Sequence, residues 1–213
     1  TGVQTCALPI SCATALGGAL EDQGGVGTAG SHWEKASFMD ELMTGSAGPL
    51  SVVSGITLAA LADSGWYVVD MSRAQWLQWG EGLGCNFFMQ RCNASWPRSG
   101  GYYCTASETP GCTYNRLATG SCLLKQWTNI PAAFQYFPGK TTGGPLDLAD
   151  FCPFTYPFFN GWCNRAESDT AGESGDRLGS ASRCFTSNVA TSSLSQSTAQ
   201  RCYPAHCSSS TEL

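Results

Sequence analysis

The chain is poor in charge and nearly lacks histidine. Charged residues make up 13% of its 213 positions, there are 2 histidines, and the formal net charge is −5. Soluble domains usually carry about 25% charged residues. Nothing in the sequence forms a basic stripe, which argues against nucleic acid as a partner. No segment reads as a membrane span. The most apolar run, 50–69, is broken by Ser51, Ser54, Gly55, Thr57, Asp63 and Ser64, too polar for a helix of ~20 residues in hydrocarbon. The final SSSTEL carries no hydrophobic tail of the kind an anchor signal needs. Membrane attachment would require an anchor not present in this chain. Internal repeats and CxxC pairs are missing as well.

Cysteine, by contrast, is abundant, with 12 in all. Low charge, many cysteines and no CxxC spacing favour disulfides in an oxidising compartment over zinc clusters. The expected location is therefore extracellular or at the cell surface. Asn93-Ala94-Ser95 is a glycosylation sequon that fits the secretory route. The opening TGVQTCALPI has no signal-peptide pattern. It can be written ACT GGA GTT CAG ACG TGT GCT CTT CCG ATC, which resembles a common sequencing adapter whose next base suits the codon of Ser11. Residues 1–11 are therefore expected to be a translated scar. Setting Cys6 aside leaves 12 − 1 = 11 cysteines.

Along the chain, Val52, Val53, Ile56, Ala59, Ala60 and Leu61 recur at helical spacing. They predict a helix over 51–64 that buries Ile56 and Leu61, with Gly65 as its C-terminal stop. Gly65–Val69 (GWYVV) is expected to be a short strand or an extended segment. Beyond Cys85, cysteines come every ten to thirty residues among Pro, Gly and aromatics. That texture predicts a disulfide-stapled, loop-rich module of short strands, with a boundary near Gln90. Ser192–Thr198 is polar enough for a mobile loop.

Two short patterns precede Met43. Gly25-Val26-Gly27-Thr28-Ala29-Gly30 matches GxGxxG, but a dinucleotide site needs a strand before it. Glu21-Asp22-Gln23-Gly24 is no strand, so the glycines are expected to let a loop run close to other backbone. His32 follows, and a histidine in isolation is more often an ordinary polar residue than a ligand. Zinc sites need three or four ligands, and the only other histidine, His206, sits among the late cysteines.

The stretch EDQGGVGTAGSHWEKASFMDELM nevertheless resembles the leishmanolysin-like zinc peptidases, a metzincin family. In that resemblance His32 falls on the third zinc ligand and Met43 of Asp40-Glu41-Leu42-Met43 on the Met-turn. Trp79-Gly80, Gly84-Cys85, Tyr136-Phe137 and Phe151-Cys152-Pro153 are similar to further landmarks of the family. Thr44-Gly45 departs from the small residue and proline usual after the Met, which bears on the shape of the specificity pocket. The implied fold is α+β. Residues 12–90 would be the C-terminal part of a metallopeptidase catalytic domain, with a Met-turn plus a helix. Residues 91–213 would be a cysteine-rich domain.

The resemblance also implies a disulfide pattern and a chemistry. Cys12 would pair with Cys85, Cys92 with Cys152, Cys104 with Cys122, Cys112 with Cys184 and Cys163 with Cys202. Cys207 would be left without a partner. In the family three imidazoles hold one zinc ion, which activates water for attack on peptide bonds of protein substrates. A glutamate in HExxH serves as general base. This chain contains no HExxH, so it supplies no catalytic residue of its own, and Glu34 is not the base. The thioether of Met43 would be a soft floor beneath the histidines. The expectation is a secreted or surface zinc endopeptidase of which this chain is an inactive part that binds zinc weakly or not at all. The alternative is a non-catalytic, cysteine-rich adhesion or recognition module on a peptidase-like scaffold.

Overall fold

The computed structural model describes residues 17–48, 50–89, 92, 102–104, 110–166, 176–187 and 199–206. In chain order they form α1 (Lys35–Phe38), α2 (Gly55–Asp63) and α3 (Gly84–Met89), then β1 (Gly111–Cys112), β2 (Ala118–Cys122), β3 (Lys125–Gln126), β4 (Thr142–Gly143), β5 (Thr155–Trp162), β6 (Ser182–Ser187) and β7 (Ala199–Pro204). Short helices and short strands make an α+β fold. Among the described residues no helix is long and apolar enough to cross a membrane.

The chain groups into two compact units. One comprises Thr1–Trp96 and Leu124–Cys152, the other Pro97–Leu123 and Pro153–Leu213. This differs from the single break expected near residue 90, because 124–152 returns to the first unit. Covalent and packing contacts hold it there. Cys92 is bonded to Cys152, and Leu148 fills the space that a Cβ at Gly24 or Gly45 would enter, at 2.8 and 3.2 Å.

The first unit is organised by aromatic side chains. Trp79, Phe38, Ile56 and Leu77 are fully buried. Phe38 meets Trp33 edge-on at 5.9 Å and Phe88 at 5.5 Å, and Trp79 meets Phe87 at 5.7 Å. Such pairs add about 0.5–1.5 kcal/mol each to their area burial. The indole Nε1 of Trp79 donates to the Ala36 carbonyl at 3.0 Å, locking α1 onto this core. A second cluster joins Ile130, Phe134 and Phe151 beside the β3–β4 pair.

Helix α2 begins at Gly55, later than the apolar spacing predicts. Ser54 is its N-cap: extended at φ −83°, it accepts from the Ile56 amide through Oγ. Polar side chains that bind the backbone in this way start helices rather than lie inside them. Gly65 follows the C-terminus at φ +70°, a conformation that favours glycine. Ile56 is buried as expected, but Leu61 is exposed. Five residues advance about 500° around a helix, so the two cannot share one face. Among the described residues the stretch 66–69 pairs with no strand, and Trp66, Tyr67 and Val68 face solvent.

The second unit is built from strands and disulfides. β1, β2 and β5 form an antiparallel sheet, and β6 pairs with β7. Cys104–Cys122, Cys112–Cys184 and Cys163–Cys202 are bonded. With Cys92–Cys152 these are the same four pairs that the resemblance implies. Cys163, Cys184, Cys202 and Leu178 form a buried cluster against Cys112. The bridges here replace part of the apolar core. Cys85 is also disulfide-bonded. Its expected partner Cys12, the expected odd Cys207, the sequon at Asn93 and the loop 192–198 lie outside the described residues.

Candidate functional site

His32 ends a loop made almost entirely of turns. Two backbone bonds close the base of that loop: the Glu21 amide donates to the His32 carbonyl at 2.9 Å, and the Gly30 amide to the Glu21 carbonyl at 2.8 Å. Within it, Gly24, Gly25, Gly27 and Gly30 all have positive φ. A Cβ at Gly25, Gly27 or Gly30 would meet nothing within 4 Å. Backbone angle, and not the close approach expected from the motif, is therefore the reason for glycine at these three positions. The loop aims the imidazole. Nδ1 lies 3.2 Å from the Thr28 carbonyl and 3.0 Å from Ser31 Oγ. A carbonyl only accepts, so the contact suits an Nδ1–H donor, and in the neutral ring that tautomer leaves the lone pair on Nε2. Ser31 turns its own hydroxyl hydrogen to the Gly27 or Thr28 carbonyl, at 3.2 and 3.1 Å.

The turn holding Met43 lies directly alongside. The Trp33 amide donates to the Met43 carbonyl at 2.9 Å, and Trp33 bridges Thr44 in parallel register. Met43 itself is 44% exposed, and Leu42 is exposed beside it. Glu41 holds this turn from within. It is fully buried, and its Oε2 accepts from the Met43 amide at 2.6 Å. Its Oε1 accepts from the Ser54 amide at 3.0 Å, from Ser54 Oγ at 3.1 Å and from Thr57 Oγ1 at 2.7 Å. Thr57 Oγ1 in turn accepts from the Trp33 indole at 2.8 Å. One carboxylate thus links the segment that follows His32, the methionine turn and the start of α2, where the helix dipole favours a negative charge.

A buried lysine closes the other side of the turn. Lys35 Nζ donates to the Met39 and Ser46 carbonyls, both at 2.8 Å, and to Thr44 Oγ1 at 3.3 Å. Burial lowers its pKa from the usual lysine value. Thr44, where the family pattern has a small residue, is buried and donates to the Glu41 carbonyl at 2.9 Å or the Ser46 carbonyl at 3.2 Å. Its hydroxyl belongs to the turn's own network.

Three more carboxyl groups flank the loop in sequence. Ligand oxygens of Glu21, Asp22 and Glu34 fall within 4.8 Å of one another. Glu34 is buried and caps α1 by accepting from the Ala36 amide at 3.0 Å. Glu21 is buried too and accepts from the amides of Gln23 and Lys35, at 3.0 and 3.3 Å. Their backbone bonds show a capping and loop-closing role. Among the described residues no cluster of three metal-ligand side chains includes His32.

Sequence similarity to known proteins identifies the family. The sequence model described as leishmanolysin matches residues 6–213. The chain belongs to the leishmanolysin family. It is 33% identical over 155 residues to leishmanolysin of Leishmania major, which covers 70% of this chain and 25% of that protein. It is 38% identical over 169 residues to the leishmanolysin-like peptidase of Drosophila melanogaster, covering 70% and 25%. The leishmanolysin homolog of Crithidia fasciculata is 36% identical over 155 residues, covering 71% and 24%. The chain spans about a quarter of the length of the curated relatives it matches.

Within this leishmanolysin-family chain, sequence inspection assigns no role to Glu41 or Lys35, and it marks Thr44 only as a departure from the family pattern. DELM signals a turn, but nothing local shows that its glutamate faces inward. Glu34 was excluded as the base, and the structure adds its capping role. Burial pushes the Glu34 carboxyl up to about 8, with the negative charges of Asp150, Glu21 and Asp22 adding to the effect. The folded chain then keeps a proton that the unfolded chain releases above its ordinary value of 4.5. Stability should accordingly fall as pH rises through this window, by on the order of 1 kcal/mol per pH unit. Glu34→Gln should flatten that slope while keeping the cap. Denaturant midpoints between about pH 5 and pH 8 check this, and an unchanged slope in the variant would refute it.

Proposed function

We propose that His32 is one zinc ligand of a leishmanolysin-type metalloendopeptidase, and that Met43 forms the apolar floor next to it. The observation that carries this reading is the Trp33–Met43 backbone bond, beside an imidazole whose Nδ1 is held by the Thr28 carbonyl. A histidine with a carbonyl on Nδ1, once neutral, presents the Nε2 lone pair to a metal, which is the form of a zinc ligand with its outer partner in place. One imidazole meets only part of the three-ligand requirement of a catalytic zinc site. When bound, zinc supplies Lewis-acid activation of water and of the scissile carbonyl. The residues of this chain orient and support. The glycine loop aims His32, Glu41 and Lys35 fix the turn, and Met43 offers a soft apolar surface to the site.

The substrates are proteins or peptides, and the disulfides favour a secreted or cell-surface setting. The isolated chain should not cleave peptides and should retain far less than one zinc per chain after dialysis. Metal analysis and a peptidase assay with and without chelator test this. Stoichiometric zinc, or chelator-sensitive cleavage by a clean preparation, would overturn it. In a longer form carrying HExxH, H32A should lower kcat/KM by more than the ~10–100-fold that loss of an outer partner costs. A coding sequence whose preceding part lacks HExxH would instead favour a non-catalytic adhesion or recognition module.

A further inference from the structure

Three groups that can donate converge on the Thr28 carbonyl. The Ser31 amide lies 3.2 Å from it, Ser31 Oγ 3.1 Å and His32 Nδ1 3.2 Å. A carbonyl oxygen has two lone pairs, so three donors compete for two places. The turn fixes the direction of the Ser31 amide. The hydroxyl, by contrast, has a second acceptor within reach, the Gly27 carbonyl at 3.2 Å.

That choice matters for the ring. Ser31 Oγ is 3.0 Å from Nδ1, nearer than the Thr28 carbonyl is. A hydroxyl can donate one hydrogen and still accept. When it donates to Gly27, its lone pair is open to the ring N–H, and every group in the cluster has a partner. The opposite tautomer fits poorly. With the proton on Nε2, the lone pair of Nδ1 would face the oxygen of Thr28, and the Ser31 hydrogen would have to leave the loop carbonyls to reach it. The hydrogen bond made by one ring nitrogen selects which nitrogen is left for a metal.

We propose that Ser31 is a positioning residue for His32. Its hydroxyl donates to the Gly27 carbonyl, accepts the Nδ1–H of the ring, and so holds the tautomer whose lone pair is on Nε2. Ser31 touches no metal and acts only through the imidazole. The proposal rests on the reading of His32 as a zinc ligand, yet what it asserts about the ring holds before any metal binds.

Ring nitrogen chemical shifts of the metal-free full chain test it, recorded by 15N NMR at about pH 8.5, far above the ordinary imidazole range. The chain has two histidines, and an H206N variant identifies the signals of His32. The wild-type ring should be mainly Nδ1–H. Ser31 is exposed, so S31A removes the hydroxyl without opening a core. The ratio of Nδ1–H to Nε2–H should fall about 2–10-fold in S31A, the range for one net hydrogen bond. S31T, which keeps the hydroxyl, should restore it. A loop that merely needed a small residue would leave the ratio unmoved in S31A, and that result would overturn the proposal. A rise in S31A, or an S31T chain that behaves like S31A, would overturn it too. Should S31A fail to fold, the wild-type spectrum decides, since a ring mainly protonated on Nε2 contradicts the assignment outright. Failure of the zinc reading looks different: in a longer form carrying HExxH, H32A would keep its zinc while the tautomer result stood.

Discussion

Replacing Glu41 with alanine is expected to destabilise the first unit by about 3–5 kcal/mol, out of proportion to one side chain in a four-residue turn. The carboxylate is fully buried and accepts from the Met43 and Ser54 amides and from the Ser54 and Thr57 hydroxyls. Alanine would leave these donors facing each other without an acceptor or water. Each buried donor so orphaned costs about 1–3 kcal/mol, although relaxation recovers part of the sum. Glu41→Gln should cost less, because its amide oxygen keeps some acceptors while its NH2 meets donors. Chemical denaturation gives the difference directly. A loss under about 1 kcal/mol for E41A would mean that water or neighbouring groups satisfy the turn.

Removing Cys112–Cys184 is the second large effect expected, in the other unit. This bridge spans 72 residues, against 18 for Cys104–Cys122. Constraining the unfolded chain over the longer loop should be worth about 4 kcal/mol. The fourfold difference in loop length predicts about 1 kcal/mol more for Cys112–Cys184 than for Cys104–Cys122. Cys184 is also part of the buried cluster with Cys163, Cys202 and Leu178, so serine there would add an unsatisfied hydroxyl. Alanine pairs are therefore the cleaner comparison. Unfolding midpoints of the two double variants decide the ranking, and a costlier loss of Cys104–Cys122 would refute the loop-entropy account.

Much of the candidate site is legible in the residues themselves. A run of glycines before His32 announces a loop of unusual backbone angles, and positive φ at Gly24, Gly25, Gly27 and Gly30 is what such a run permits. Ser54 ahead of an apolar run is a helix-start signal, yet apolar spacing alone carries the expected helix back to residue 51. Spacing weighs side chains, whereas the true start depends on which backbone amides Ser54 captures. Leu61 looked as apolar as Ile56, but helix geometry turns them to different sides. Return of 124–152 to the first unit was hidden for a different reason. Leu148 against Gly24 and Gly45 is a contact over more than a hundred residues, and no local pattern encodes it.

Composition and cysteine number were enough to indicate a low-charge, loop-rich, disulfide-stapled chain, because those properties depend on counts and not on arrangement. The GSH and DELM segments likewise carry the family resemblance that draws attention to His32 and Met43 together. Tertiary structure alone decided that Glu41 faces inward, that Lys35 clamps the turn and that Met43 stays open to solvent. Burial is set by whatever distant chain packs over a residue. Whether a charged side chain is a solvated surface group or the centre of a hydrogen-bond network therefore cannot be read from its own segment.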